Sequence, residues 1–544
     1  MRRSVFFRFL AASLIVLLIS IIGNESAFAA SLFGTNGTTQ PGATIFVPKQ
    51  APVMVSIFNP DQLQSQEKSE LSKLKTNLLA NSGIDYRKEV QPWLGDEITL
   101  AVMSLDFDRD ADNGQQPGYL MALATKAPEK SREFVQLLFS KRVLAGADLN
   151  VEEYAGIKVI YDNSQPEKGM LAGAVVGNQY VLFANDPKVL REAINNVQAP
   201  DLNLTTSSLY QEAAKQVSIG SLGIAFLNLP IVAQWQGLKL PIQIYDTQLV
   251  SFTLNQKGLL AETVALASKE IAPSLPQLSK PVQALKYIPG SSAFAVSGSD
   301  LNSLGSSSLA LYWQQIAGAL ALKGKNIEDL VQPLTEVQNR WGLNLSQDIF
   351  SWVQGEYAAS LISNSPSENP DWVFVAEKMP QTPDGISKLD GIAAKNNLNI
   401  STFTLDNQPI TTWTELTAAS SNDSKTKPSF SIEAKAYGVH TTIGNYEIFT
   451  SSLETMHEVL TAKETNITEN QNFQKSIAAL PKSNAGYLYL DWATSQDILD
   501  RQLPILKLLK VVAKPFLTNL RSLTITNYGS ETNSLKGSVF LQVD

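Results

Sequence analysis

Two histidines, His440 and His457, and no cysteine stand in a chain of 544 residues. The absence of Cys excludes thiol nucleophiles, thiolate metal sites, iron–sulfur clusters and disulfides, and it leaves imidazole chemistry two positions. Glu454 and His457 are three apart on an expected helix, where side chains meet. A carboxylate-bridged metal centre needs two such pairs, and only one exists. The expectation is therefore a solvated surface histidine.

Carboxylates are the other candidates. Glu97 follows Trp93 by four residues and Glu356 follows Trp352 by four. One reading faces the two glutamates across a shared cleft as acid and base. The reading preferred here is structural, with each Glu on a strand and its Trp turned inward. The segment DFDRDADNG alternates Asp106, Asp108, Asp110 and Asp112 before Gly114. Such spacing suggests calcium, but a true calcium loop starting at Asp108 needs Gly where Asn113 sits and Glu where Tyr119 sits. An exposed acidic hairpin without a tight metal site is expected.

Nucleophile-elbow, zinc-protease and dinucleotide signatures do not occur. Gly318 to Lys325 (GALALKGK) superficially resembles a phosphate loop, but its glycines are one residue too far apart and Asn326 replaces the magnesium-binding hydroxyl. No catalytic residue, cofactor or metal ligand is assigned. With 43 Lys and Arg against 51 Asp and Glu, the net charge of −8 also argues against a nucleic-acid binder.

The elements that position these residues fall in two tandem units. The first 29 residues read as a signal peptide: Arg2 and Arg3, an apolar run from Leu10 to Ile22, and the small-x-small site Ala27-Phe28-Ala29. Residues 30–44 read as a flexible segment, 45–268 as unit one, 269–285 as a linker with Pro273, Pro276 and Pro281, and 286–544 as unit two. The units share five ordered pairings. FVPKQAPVMVS matches YIPGSSAFAVS, and VQPWLGDEITLAV matches IFSWVQGEYAASL. VVGNQYVLFANDPKVLREAI matches TIGNYEIFTSSLETMHEVL, LGIAFLNL matches AGYLYLDW, and VSFTL matches RSLTI. An internal duplication follows. Thr417 to Ser429 reads as a loose insertion peculiar to unit two.

Alternating strands, hairpin turns such as Gly177-Asn178 and interleaved amphipathic helices give an α+β class, with mainly antiparallel sheet in each unit. Unit one should have strands near Val53–Phe58, Glu97–Leu105, Tyr119–Thr125, Lys158–Tyr161, Leu171–Val176, Tyr180–Ala184, Leu222–Asn228, Leu249–Leu254 and Leu259–Ala267. Its helices should lie near Asp61–Ala80, Glu129–Val143, Pro187–Val197 and Pro230–Gln236, with Asp61 and Asp186 as N-caps.

The proline-led opening strand, the Trp-x-x-x-Glu strands, the Gly-Asn hairpins and the export signal together resemble the large cyanobacterial proteins grouped as domain-of-unknown-function family 3352. The resemblance covers essentially the whole mature chain. It implies a cyanobacterial envelope or thylakoid setting and supplies no catalytic residue.

Two amphiphilic segments suggest partners. Ser308 to Leu322 carries Leu309, Leu311, Tyr312, Trp313, Ile316, Leu320 and Leu322 around the whole helix, so an apolar groove near Trp313 is expected to take a protein or an amphiphile. Arg501 to Arg521 gathers Lys507, Lys510 and Lys514 on one face, which suits a membrane surface. The function expected is a non-enzymatic binding or assembly module outside the cytoplasm, in the periplasm, the thylakoid lumen or the medium. The alternatives are a carboxylate-dependent extracytoplasmic hydrolase and a purely structural envelope component.

Overall fold

The computed structural model describes residues 40–59, 85–110, 112, 114–162, 170–217, 221–235, 243–255, 258–271, 275–319, 344–362, 370–421, 429–496, 519–529 and 533–543. The signal peptide, the expected helix Asp61–Ala80 and Lys507, Lys510 and Lys514 lie outside them. The chain divides into two compact units between Glu270 and Ile271, and the C-terminal Leu520–Gln542 belongs to the second. Each unit combines helices with an antiparallel sheet, an α+β arrangement.

Unit one contains β1 (Val53–Phe58), β2 (Leu94–Ser104), β3 (Gly118–Thr125), β4 (Leu149–Tyr154), β5 (Ile157–Asp162), β6 (Ala172–Val176), β7 (Tyr180–Ala184), β8 (Gly223–Asn228), β9 (Thr247–Asn255) and β10 (Gly258–Leu266). Their pairings give the order β4-β5-β6-β7-β3-β2-β1-β8-β9-β10. Alternation buries both faces. One face joins Met54, Ala122, Leu182 and Phe226 to Phe46, Leu190 and Tyr210 from helices. The other packs Trp93, Leu123 and Phe183 against Phe134, Leu138 and Phe139. The last three lie on α1 (Pro128–Leu144), and Leu190 lies on α2 (Pro187–Gln198). Asp186 caps α2 by accepting from the Lys188 amide, and Pro187 takes the first turn, where its missing N–H costs nothing.

Unit two contains β11 (Ser292–Gly298), β12 (Tyr357–Ile362), β13 (Asp371–Glu377), β14 (Asn399–Leu405), β15 (Gln408–Ser421), β16 (Ser429–Ile443), β17 (Tyr446–Thr450), β18 (Gly486–Asp491), β19 (Leu520–Asn527) and β20 (Ser534–Val543). The order is β14-β15-β16-β17-β13-β12-β11-β18-β19-β20. Each strand thus stands where the strand numbered ten lower stands in unit one. Gly177 and Gly444 both hold φ of 57°, a left-handed turn that glycine enters without strain, between β6 and β7 and between β16 and β17.

Three differences from the sequence reading have local causes. Residues 42–44, expected in the flexible lead-in, belong to the 3-10 helix Gly42–Phe46, with Ala43 and Thr44 buried. In the expected linker, Val282, Ala284 and Leu285 enter the core of unit two through the 3-10 helix Gln283–Tyr287. The expected loose insertion is strand at both ends: Thr417 to Ser421 continue β15 and pair with Ser429 to Glu433 of β16. Serine and threonine there read as loop, but Thr fits a pleated surface well.

Candidate functional site

Glu97 lies on β2, and its carboxylate meets four donors. Oε1 accepts from the Ala43 amide at 3.0 Å and from Thr99 Oγ1 at 2.7 Å. Oε2 accepts from the Gly42 amide at 2.8 Å and from the Tyr180 hydroxyl at 3.4 Å. Gly42 and Ala43 open the 3-10 helix that precedes β1, so the carboxylate supplies acceptors for amides that a helix start leaves unpaired. A Cβ on Gly42 would fall 2.2 Å from the Tyr180 oxygen, which explains glycine there. Four bonds fill a carboxylate's accepting capacity. Burial nevertheless pushes the Glu97 carboxyl above its ordinary value, the bonds opposing it only in part.

Glu356, just before β12, makes the corresponding contacts. Its Oε2 accepts from the Gln283 amide at 2.6 Å and from the Tyr446 hydroxyl at 2.8 Å. Gln283 opens the 3-10 helix before β11. Phe46 meets the Tyr180 ring at 5.2 Å, and Tyr287 meets the Tyr446 ring at 5.4 Å. Burial first, and the neighbouring carboxylate second, hold both phenols well above their ordinary range, so they remain donors. The two glutamates therefore act as struts that pin each opening helix to the sheet. The hairpins Gly-Asn-Gln-Tyr and Gly-Asn-Tyr carried this signal, but which side chain meets the tyrosine emerges only from the folded register.

The tryptophans occupy one kind of corner. Each follows a single π turn, Tyr86–Val90 or Leu345–Ile349. Trp93 Nε1 donates to the Glu89 carbonyl at 2.7 Å, and Trp352 Nε1 to the Asp348 carbonyl at 2.8 Å. Lys141 reaches Glu89 at 2.7 Å, and Lys388 reaches Asp348 at 2.7 Å. The register of β2 shifts between Leu94 and Ile98, so Trp93 and Glu97 serve opposite faces despite their even spacing.

The histidines separate. His457 is exposed and its Nδ1 meets Asp406 Oδ2 at 2.6 Å, so its partner comes from the β14–β15 hairpin rather than from Glu454. His440, whose surroundings the sequence left open, is buried on β16 between carboxylates. Its Nδ1 lies 3.1 Å from Glu447 Oε1 and its Nε2 3.7 Å from Asp390 Oδ1. Glu447 directly follows the Gly-Asn-Tyr hairpin and Asp390 lies on the helix Thr382–Lys395; reading the chain alone singled out neither.

The acidic loop binds itself: Asp108 accepts from the Asp110 amide at 3.3 Å, Asp110 from the Asp112 amide at 3.0 Å, and Asp106 from the Gln116 amide at 3.4 Å. Among the described residues no group of three His, Asp or Glu is arranged to hold a metal. Gly318 lies within the helix Ser308–Ala319, as does Trp313. The Trp313 side chain falls outside what is described, as do Leu320 and Leu322. No described helix is long and apolar enough to cross a membrane.

The chain matches no curated protein. Among solved structures, crystal form I of TP0453 is similar at 11% identity and TM-score 0.26, over 43% of this chain and 80% of that one. Crystal form IV of TP0453 is similar at 9% identity and TM-score 0.26, over 44% and 83%. Residues 9–543 match the family described as protein of unknown function DUF3352, and the chain belongs to that family.

Proposed function

We propose that this chain is a non-enzymatic binding or assembly module that works outside the cytoplasm, built by internal duplication of one α+β unit. The carrying observation is where its exposed apolar side chains lie. Of nine large hydrophobics exposed among the described residues, Leu137, Val143 and Leu144 lie on α1, which leads into β4, and Val151 lies on β4 itself. Ile400 and Phe403 lie on β14, and Leu416 on the adjoining β15. Among the described residues β4 pairs only with β5, and β14 only with β15. An open strand edge flanked by apolar side chains invites another chain, so an edge of this kind is retained where something covers it.

The duplication rests on matched detail. Strand order repeats, and so do the Glu–Tyr struts, the Trp corners and their lysine pairs. Isolated bridges join Pro48 to Asn203 and Pro289 to Asn466. The export-like leader and the family resemblance support an envelope or thylakoid setting. Engagement of both Glu97 oxygens by internal donors favours binding over hydrolysis at that carboxylate, because an acid or base needs a free oxygen at the substrate. A test is to replace Val151 and Phe403 with Lys in the full chain. Loss of copurifying material at unchanged melting temperature supports the proposal, and unchanged copurification overturns it.

A further inference from the structure

We propose that Asp390, His440 and Glu447 form a proton-operated latch that holds the helix Thr382–Lys395 on the sheet of unit two. The geometry carries the argument. Glu447 Oε1 faces His440 Nδ1 at 3.1 Å, while its Oε2 accepts from Thr442 Oγ1 at 2.6 Å. A carboxylate only accepts, so Nδ1 carries a proton. His440 Nε2 has no hydrogen-bond partner, and its nearest charged atom is Asp390 Oδ1 at 3.7 Å, which already accepts from Trp413 Nε1 at 2.8 Å. A neutral imidazole therefore turns a lone pair toward a carboxylate. The imidazolium turns an N–H toward it instead, and links β17, β16 and the helix in one charged chain.

The surroundings sharpen that contrast. The imidazole stacks on Phe449 at 5.5 Å and lies 5.3 Å from the Trp413 ring, so water screens it little. Facing groups are Glu447 and Phe449 from β17, Trp413 from β15 and Asp390 from the helix. Lys388 of that helix is held by Asp348 and the Gln347 carbonyl. Among the described residues no Lys or Arg pairs with Asp390 or Glu447, which leaves the imidazolium as their countercharge.

Unit one fills the same place without charge. His440 pairs with Phe449 as Gly173 pairs with Phe183, and Thr442 pairs with Glu447 as Val175 pairs with Val181. A Cβ on Gly173 would lie 2.7 Å from the Phe139 ring of α1, so a phenyl group occupies the layer. An apolar filling thus suffices for this architecture, and a buried charged cluster is no better for stability than apolar packing. What the cluster adds is response to protons.

The test uses the full chain, melted at about pH 5.5 and about pH 8.5, on either side of imidazole titration. A protonated imidazole charges the latch and a neutral one discharges it. His440→Gln and Asp390→Asn should each lower the melting temperature by about 2–4 °C at the acidic pH, with little or no loss at the alkaline pH. Equal losses at both pH values would overturn the proposal. Ring nitrogen NMR of the wild type, with His457→Gln for assignment, should show both His440 nitrogens protonated at the acidic pH and one at the alkaline pH. An Nε2 that never gains a proton would also overturn it, even if His440→Gln failed to fold.

Discussion

The Tyr446 hydroxyl donates to Glu356 at 2.8 Å, and the Tyr180 hydroxyl donates to Glu97 at 3.4 Å. Each bond joins a hairpin tyrosine to a carboxylate that also holds the start of a 3-10 helix, so one side chain ties three segments. The shorter bond belongs to the carboxylate with fewer donors. Hydrogen bonds to charged groups contribute about 1.5–3 kcal/mol. Tyr446→Phe is expected to lose about 1.5 kcal/mol in urea unfolding, and Tyr180→Phe less than half of that. Equal losses would show that the bond lengths do not rank the two struts.

The pH dependence of Glu97 has a definite sign. Its folded carboxyl sits above the ordinary 4.5, chiefly through burial, so ionisation opposes folding. The penalty is fully present at neutral pH and is relieved as pH falls through the folded value toward 4.5. Glu97→Gln lacks this relief. The variant's stability deficit against wild type should therefore widen as pH falls from 7 to 5, measured by urea unfolding at fixed salt. A deficit that narrows would reverse the assignment.

Two glycines stand where the backbone of the opening strand passes close. A Cβ on Gly223 would lie 2.7 Å from the Ser56 carbonyl, and one on Gly486 would lie 2.0 Å from the Ser297 carbonyl. Gly486 also holds φ at 121°, where side chains are strained. Both alanine variants are expected to be destabilised, Gly486→Ala by about 3 kcal/mol or more and Gly223→Ala by about 1–3 kcal/mol. Denaturant midpoints check the ranking.

Three of the loop's four aspartates, Asp106, Asp108 and Asp110, accept from its own amides. Calcium at millimolar concentration is expected to leave the melting temperature unchanged. A rise that vanishes in the double variant Asp108→Asn, Asp110→Asn would contradict this.

Much of the fold was legible because it rests on short-range pattern. Strand Tyr180–Ala184 falls where alternation puts it, and Asp186-Pro187 starts a helix as capping chemistry requires. Strand β4 escaped notice because Glu152 and Glu153 interrupt its apolar pattern. The helix Ser208–Lys215 was missed although Ser207 caps it, since it is only eight residues long and its apolar face is Leu209, Tyr210, Ala213 and Ala214. The sites were less legible. Glu97 and Glu356 were recognisable as a matched pair, but their tyrosine partners are 83 and 90 residues away. Glu447 meets His440 across the β16–β17 hairpin, whereas Asp390 meets it only through the helix–sheet packing of unit two, which no local spacing encodes.

Photo-crosslinking in the native cell tests the central claim most directly, with the reactive residue placed in turn at Val151, Phe403, Leu202 and Ile525. All four positions are exposed, at 58%, 43%, 55% and 38%. Only the first two lie on the outer strands of the sheets, so the account predicts discrete adducts at 151 and 403 over background at 202 and 525. Adducts spread evenly over the four positions, or concentrated at 202 and 525, would contradict recruitment through the sheet edges.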